Sequence, residues 1–343
     1  MNRIAFTRIM VLAVFFSATI THTVEFNRPC WFPEPSYRFD KNPLNESRIE
    51  LGRKLFFDPI LSADNSTSCS SCHSPYSAFA HTDHALSHGI HDQVGTRNAP
   101  ALFNLAWQTS FMWDGAISHL DMQALAPISH PKEMGESIAH VVEKLQEDPS
   151  YRSFFHRAYG DSTVTGEYVL KALSQFQLTL VSSQSKYDGV INGTHSFTEQ
   201  ELKGYSLFKK NCNACHTEPL FSSYKFANNG LPVDTTLNDL GRWNITAQGS
   251  DSLMYKIPSL RNLSFTSPYM HDGRFRQLRE VLNHYTDGIM NSPTLSPELQ
   301  QGISMASDEK TDLIAFLLTL NDTDFVFNPD HQFPRNLFTQ NKN

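Results

Sequence analysis

The chain has 343 residues, an ordinary apolar share of 40% and a formal charge of −7, which suits two domains of normal size. With 28 basic against 35 acidic residues and no basic run, it lacks the electrostatic footprint of a nucleic-acid binder. No low-complexity tract or short-period repeat interrupts it.

Residues 1–22 read as a secretory signal peptide. Arg3 and Arg8 precede the apolar run Ile9 to Phe16, and small and hydroxyl residues follow from Ser17 to Thr21. That run is too short for a comfortable membrane span. An uncleaved N-terminal anchor is the alternative. No other stretch approaches a span, so the mature chain is expected to be soluble outside the cytoplasm. Cys30 lacks the Leu-x-Gly/Ala pattern that precedes a lipidated cysteine and reads as a spare thiol.

Asn42 to Arg53 reads as an opening helix, with Asn42 as N-cap and Pro43 at the first helical position, leading into Leu55-Phe56-Phe57. The polar stretch Ser62–Ser68 delivers Cys69-Ser70-Ser71-Cys72-His73. Phe79 to Pro100 holds His81, His84, His88 and His91 without a clear period, and reads as a long loop of the functional or mobile kind. Helical patterns return at Ser118–Ala126, Ser137–Gln146 and Glu167–Val181. The break Lys186–His195, with Asp188-Gly189 and Asn192-Gly193, divides residues 41–188 from 189–343. The second unit opens on the capping box Thr198-Glu199-Gln200-Glu201. Its helix runs through Leu202, Tyr205 and Phe208 to Cys212-Asn213-Ala214-Cys215-His216. A last helix begins at Ser307, with Leu313, Ile314, Phe316, Leu317 and Leu320 on its apolar side.

Each Cys-x-x-Cys-His is the attachment signature of a c-type haem: two thiols one turn apart for the vinyl groups, and an adjacent His for the iron. Zinc would need the two distant cysteine pairs to meet. A redox dithiol has no use for a His after each second cysteine. The expectation is two covalently bound haem c groups on a mostly α fold. That fold would be two cytochrome c-like haem domains with long loops, a distant duplication.

Further motifs narrow the chemistry. They are Arg97-Asn98-Ala99-Pro100, Trp113-Asp114-Gly115, Glu133-Met134-Gly135, Pro258-Ser259-Leu260-Arg261-Asn262 and Pro268-Tyr269-Met270-His271-Asp272-Gly273. From about Leu51 to Leu320 this series resembles the bacterial di-haem cytochrome c peroxidase family, including its MauG-like branch. The resemblance implies a periplasmic enzyme with a peroxidatic N-terminal haem domain and an electron-transfer C-terminal one. It would reduce hydrogen peroxide with electrons from a cytochrome c or a copper protein. His73 and His216 would be the proximal iron ligands. Glu133 matches the catalytic glutamate that moves a proton between the peroxide oxygens. Gln123 and Pro127 match residues lining the distal pocket of the MauG-like branch, and Trp113 matches the tryptophan between the haems. Asn98, Thr266 and Pro268 match an inter-domain calcium site, whose few protein ligands leave room for waters.

The sixth ligand of the second haem separates the branches. The slot held by methionine in other members lies seven positions after Leu278, which is Tyr285 here, as in the MauG-like branch. Anionic oxygen would lower that haem's potential. His284 and Met290 are the other candidates, in that order. In members whose resting peroxidatic haem is capped by a loop His, the matching position here is Ile90, beside His91. The resemblance therefore implies a five-coordinate first haem, with His88 and His91 as alternative ligands. The competing functions are MauG-like oxidation of a partner protein's side chains and a di-haem electron carrier without peroxidase activity. A haem-based sensor ranks last, for want of an output domain.

Overall fold

The computed structural model describes residues 23–339; the signal-peptide reading lies outside the described residues. Helix makes up 44% of the structure and the only paired strands described are two residues long, in keeping with a mostly α chain. No helix among the described residues is long and apolar enough to cross a membrane.

Helix α1 (Glu46–Phe57) begins three residues later than Asn42 and Pro43 suggest. Its N-cap is Asn45, whose side chain accepts from the Arg48 N–H. Asn42 is instead buried, and its carbonyl and side-chain oxygen both accept from Gln175 Nε2. The single turn α2 (Cys69–Cys72) follows, and then the predicted loop, interrupted by a 3₁₀ turn at Ile90–Asp92. The pattern at Ser118–Ala126 resolves into α3 (Leu120–Gln123) and α4 (Leu125–Ser129). Ser137 caps α5 (Ile138–Glu147), and Asp148 with Pro149 starts α6 (Pro149–Tyr159), a helix absent from the sequence reading. Next comes α7 (Gly166–Leu178). The stretch read as a break then folds into α8 (Lys186–Ile191), closed by a capping box between Ser185 and Asp188. The Thr198–Glu201 box starts α9 (Glu199–Asn211), which ends on Cys212. Strands β1 (Phe226–Ala227) and β2 (Tyr255–Lys256) pair antiparallel on either side of α10 (Trp243–Thr246). Helix α11 (Leu278–Asn283) widens into a π turn at His284–Gly288. Then come α12 (Ser307–Leu318), α13 (Thr323–Val326) and α14 (Arg335–Thr339).

The same devices occur twice. Helix α1 crosses α7 at Gly52, where a Cβ would overlap the Ala172 carbonyl. Helix α9 crosses α12 at Gly204, where it would overlap the Asp312 carbonyl. Glycine is required at both crossings because backbone meets backbone. After each haem motif an asparagine in left-handed conformation, Asn104 (φ 54°) or Asn262 (φ 64°), turns the chain. The N–H of Asn104 reaches Leu180 O at 2.8 Å, and that of Asn262 reaches Leu320 O at 3.2 Å. A tight hairpin closes each unit, with Phe111 N–H on Ile117 O and Tyr269 N–H on Phe275 O, both 2.7 Å.

Two apolar clusters follow. One gathers Phe56, Phe79, Trp107, Phe155 and Phe176, and draws in Phe325, Val326 and Leu337 from the C-terminal end. The other gathers Tyr187, Phe208, Phe221, Leu313 and Phe316. A buried fork ties the halves: Arg261 donates two 2.7 Å bonds to Asp188, which also accepts from Trp31 Nε1 at 3.1 Å.

Candidate haem and peroxide site

Both Cys-x-x-Cys-His motifs fold into one tight turn, with the His N–H returning to the first cysteine's carbonyl at 2.9 Å in each. Beyond the turn, His73 Nδ1 bonds Phe79 O at 2.8 Å. His216 Nδ1 bonds Pro258 O at 3.0 Å and lies 3.3 Å from Phe221 O. A carbonyl partner puts the proton on Nδ1 and leaves the Nε2 lone pair for a metal. Burial pushes both imidazoles down to about 4, which keeps them neutral, the form that ligates. Two thiols one turn apart beside a single imidazole nitrogen are the donor set a covalently attached haem needs. The residues present fit one such group at each motif.

The surroundings of the two motifs otherwise differ. Around the first motif, residues 127–136 close on themselves: Met134 N–H reaches Pro127 O, Glu136 N–H reaches Ile128 O, and the N–H groups of Glu133 and Gly135 share His130 O. Two segments clamp this turn, through Ile90 N–H on Glu133 O at 2.8 Å and Ala63 N–H on Met134 O at 2.9 Å. Position 135 favours glycine, because its φ is +60° and a Cβ there would lie 2.4 Å from Ile90 Cδ1. Burial raises the Cys72 thiol and nearby Glu133 raises it further, while burial raises the Glu133 carboxyl itself, with His130 opposing. Gln123, on α3, points its amide at Met112 Sδ, 4.0 Å away.

Around the second motif, the π turn presents three residues differently. Tyr285 lies within the electrostatic reach of Cys212 and Cys215, and burial pushes its phenol up to about 12, with the Asn229 amide opposing. His284 is buried, with Nε2 3.0 Å from Asn229 O. Met290 is 56% exposed. Only Tyr285, of the three, faces the cysteine pair.

Between the motifs, Trp113 donates from Nε1 to Asn98 O at 2.8 Å, and Asn98 N–H reaches His271 O at 2.7 Å. The Trp-Asp-Gly and His-Asp-Gly turns are thus one residue apart. Arg97 bridges the same seam, with 2.6 Å bonds to both Asp114 and Asp239. Lys256 Nζ donates to Gln108 Oε1 and Ser110 O, and burial pushes it down to about 7. Asn98 is buried and its Nδ2 donates to Ala85 O, which leaves Oδ1 as the acceptor; Thr266 and Pro268 lie on the approach to the second hairpin.

The loop histidines separate too. His81 is buried, and its ring stacks on His84 at 5.7 Å, which stacks in turn on His88 at 4.3 Å. His88 O lies 3.2 Å from Cys72 Sγ. His91 faces solvent beside Asp64, at 3.6 Å. Ile90 is buried against Gly135. The sequence reading missed His130, Asn229 and the Arg97–Asp239 pair. Only His130 carried a local signal, three residues before Glu133.

A sequence model of the di-haem cytochrome c peroxidase family matches residues 46–196. The methylamine utilization protein MauG of Methylorubrum extorquens is 39% identical over 307 residues, covering 86% of this chain and 83% of that protein. The chain belongs to the di-haem cytochrome c peroxidase family. The cytochrome c551 peroxidase of Nitrosomonas europaea is 34% identical over 298 residues, 85% and 84% of the two chains. A crystal structure of a MauG-like protein associated with microbial copper homeostasis matches with a TM-score of 0.79 at 30% identity. It covers 91% of this chain and 99% of that one. Family membership implies two haem c groups, in agreement with the two motifs.

Proposed function

We propose that this family member reduces hydrogen peroxide beside His73 and relays electrons from the His216 side, with Tyr285 as the second haem's outer ligand. The carrying observation is the inequality of two otherwise duplicated sites: a half-buried acid, Glu133, beside Cys72, and a phenol, Tyr285, beside Cys212 and Cys215. A pure carrier has no use for the acid.

When bound, the two haems supply a peroxide-reducing iron and an electron store. The chain does the rest. His73 and His216 are held neutral and aimed by the carbonyls behind them. Glu133, favoured in its protonated form by burial, moves a proton from the inner to the outer peroxide oxygen. Trp113 bridges the halves through the Asn98 carbonyl, placing an oxidisable indole between the motifs. The overall balance is one peroxide, two electrons and two protons to two waters.

Tyr285 favours the MauG-like reading over simple detoxification. An oxygen ligand lowers the second site's potential, which suits withdrawal of electrons from a partner protein's side chain. Without that partner the electrons come from a small cytochrome c or copper protein. The chain is proposed to be exported to the periplasm through residues 1–22. It is further proposed to bind one Ca²⁺ through Asn98 Oδ1 and the carbonyls of Thr266 and Pro268, between haem units 41–188 and 189–343. The test is the absorption spectrum of the oxidised protein before and after peroxide, in wild type, Glu133→Gln and Tyr285→Met. Peroxide should bleach or shift the wild-type spectrum and leave Glu133→Gln nearly inert. No response in wild type makes the protein a carrier.

A further inference from the structure

Passing peroxide's own proton between its oxygens leaves Glu133 as it began, but completing two waters takes two further protons from solvent, and a Glu133 that hands these on must be recharged. Glu133 Oε1 lies 3.7 Å from His130 Nδ1, with side-chain exposures of 31% and 48%. The two share one turn: the His130 carbonyl accepts the N–H groups of Glu133 and Gly135, each at 3.0 Å. The ring is also oriented, because Lys132 N–H donates to His130 Nδ1 at 3.3 Å. His130 is therefore a group half in water whose inner nitrogen faces the acid, on a backbone that fixes their separation.

We infer that His130 is the proton shuttle that recharges Glu133 from solvent. The inference rests on the peroxide reading and extends it. The half-exposed ring takes a proton from water to become imidazolium. Its Nδ1–H then turns from Lys132 toward Glu133, across a gap that a small rotation or one water spans. The N–H bond breaks, the carboxylate gains the proton, and His130 returns to the neutral form protonated at Nε2. The Lys132 N–H accommodates that outcome, since it binds the lone pair left on Nδ1. No oxidant or reductant enters the step. Cys72, on α2, is also within the electrostatic reach of Glu133.

The experiment follows steady-state peroxide reduction by the haem-loaded protein, with excess ascorbate as electron donor, in H₂O and D₂O. His130→Ala should slow the reaction tenfold or more, within the range general acid–base groups contribute, with an enlarged solvent isotope effect. Added imidazole should restore it. The infrared carboxyl band of Glu133 in the resting protein, identified by its loss in Glu133→Gln, should shift in His130→Ala because Oε1 loses its neighbour. His140→Ala, which removes an exposed ring paired with Glu136, should match wild type. A His130→Ala protein with wild-type rate and band overturns the shuttle. So does slowing that imidazole does not relieve, which assigns His130 a structural role. If wild type ignores peroxide or Glu133→Gln reacts normally, the peroxide reading fails and takes the shuttle with it.

Discussion

The glycine crossings make a quantitative test of the scaffold. In Gly204→Ala the new methyl would lie 2.7 Å from the Asp312 carbonyl carbon and 2.8 Å from Phe316 Cβ, in addition to overlapping the Asp312 oxygen. Carbon atoms prefer about 3.5–4.0 Å, so α9 and α12 must part by roughly 1 Å. Overpacking of this kind costs about 1–3 kcal/mol. Alanine returns about 1 kcal/mol through its higher helix propensity. Phe316, fully buried at the centre of the second cluster, shares the displacement and keeps the cost toward the upper end. A net loss of about 1–2 kcal/mol corresponds to a fall in Tm of roughly 1–3 °C for a chain of this size. Because α9 ends on Cys212, the shift should also reduce haem attachment at the second motif while sparing the first. Circular dichroism melts, with a haem count per chain, read both effects. Gly249→Ala is the control, since nothing lies within 4 Å of its Cβ direction. If Gly204→Ala melts with Gly249→Ala and carries two haems, the close crossing does not bear on stability.

Three further outcomes follow from the two sites. Tyr285→Met should raise the second haem's reduction potential, whereas His284→Ala and Met290→Ala should leave its ligation spectrum unchanged; a spectrum altered only by His284→Ala would transfer the ligand role. His91→Ala should leave the electron paramagnetic resonance of the oxidised first haem unchanged, because His91 faces solvent and Asp64; loss of a low-spin signal on that change would identify His91 as a resting ligand. Acid should unfold the protein in two stages. Burial holds His271 down to about 4 when folded, so the unfolded chain binds its proton first, and stability falls as pH drops from about 6.5 to about 4. For Asp188 and Asp239, burial would raise the carboxyls, but the Arg261 and Arg97 forks outweigh it and hold them low. Their contribution is full above about pH 4 and disappears below it. His271→Phe should reduce the first stage of an acid titration, to which the buried His284 and His331 also contribute, and leave the second; an unchanged first stage would refute the assignment.

What could be read along the chain was whatever is local. The haem turns, the Thr198 box and the Ser137 cap each lie within a few residues, and each fold follows from that span. Asn42-Pro43 misled for a non-local reason: Gln175, on α7, claims Asn42 through buried bonds, so the cap passes to Asn45. Asp188-Gly189 looked like a break. But Asp188 takes its bonds from Ser185, Trp31 and Arg261, and two of these partners lie far away in sequence. The distance from Leu278 points to Tyr285. The widening at His284 that turns it toward the cysteines, and Asn229 beside it, had no local signal. The same distinction explains the molecule. The proximal half of each site is built from duplicated backbone: the glycine crossing, the left-handed asparagine, and carbonyls behind a histidine. Backbone devices tolerate loss of sequence identity, which is why these recur where the sequence around them does not. The opposite face is built from side chains on unlike elements, a tight turn carrying His130 and Glu133 in one half and a π turn carrying Tyr285 in the other. On the proposed reading, the repeated backbone devices would hold two irons alike, and the division of labour between them would come from those two turns. Exchanging their chemistry, rather than altering either histidine ligand, is therefore the change that should exchange the roles of the haems.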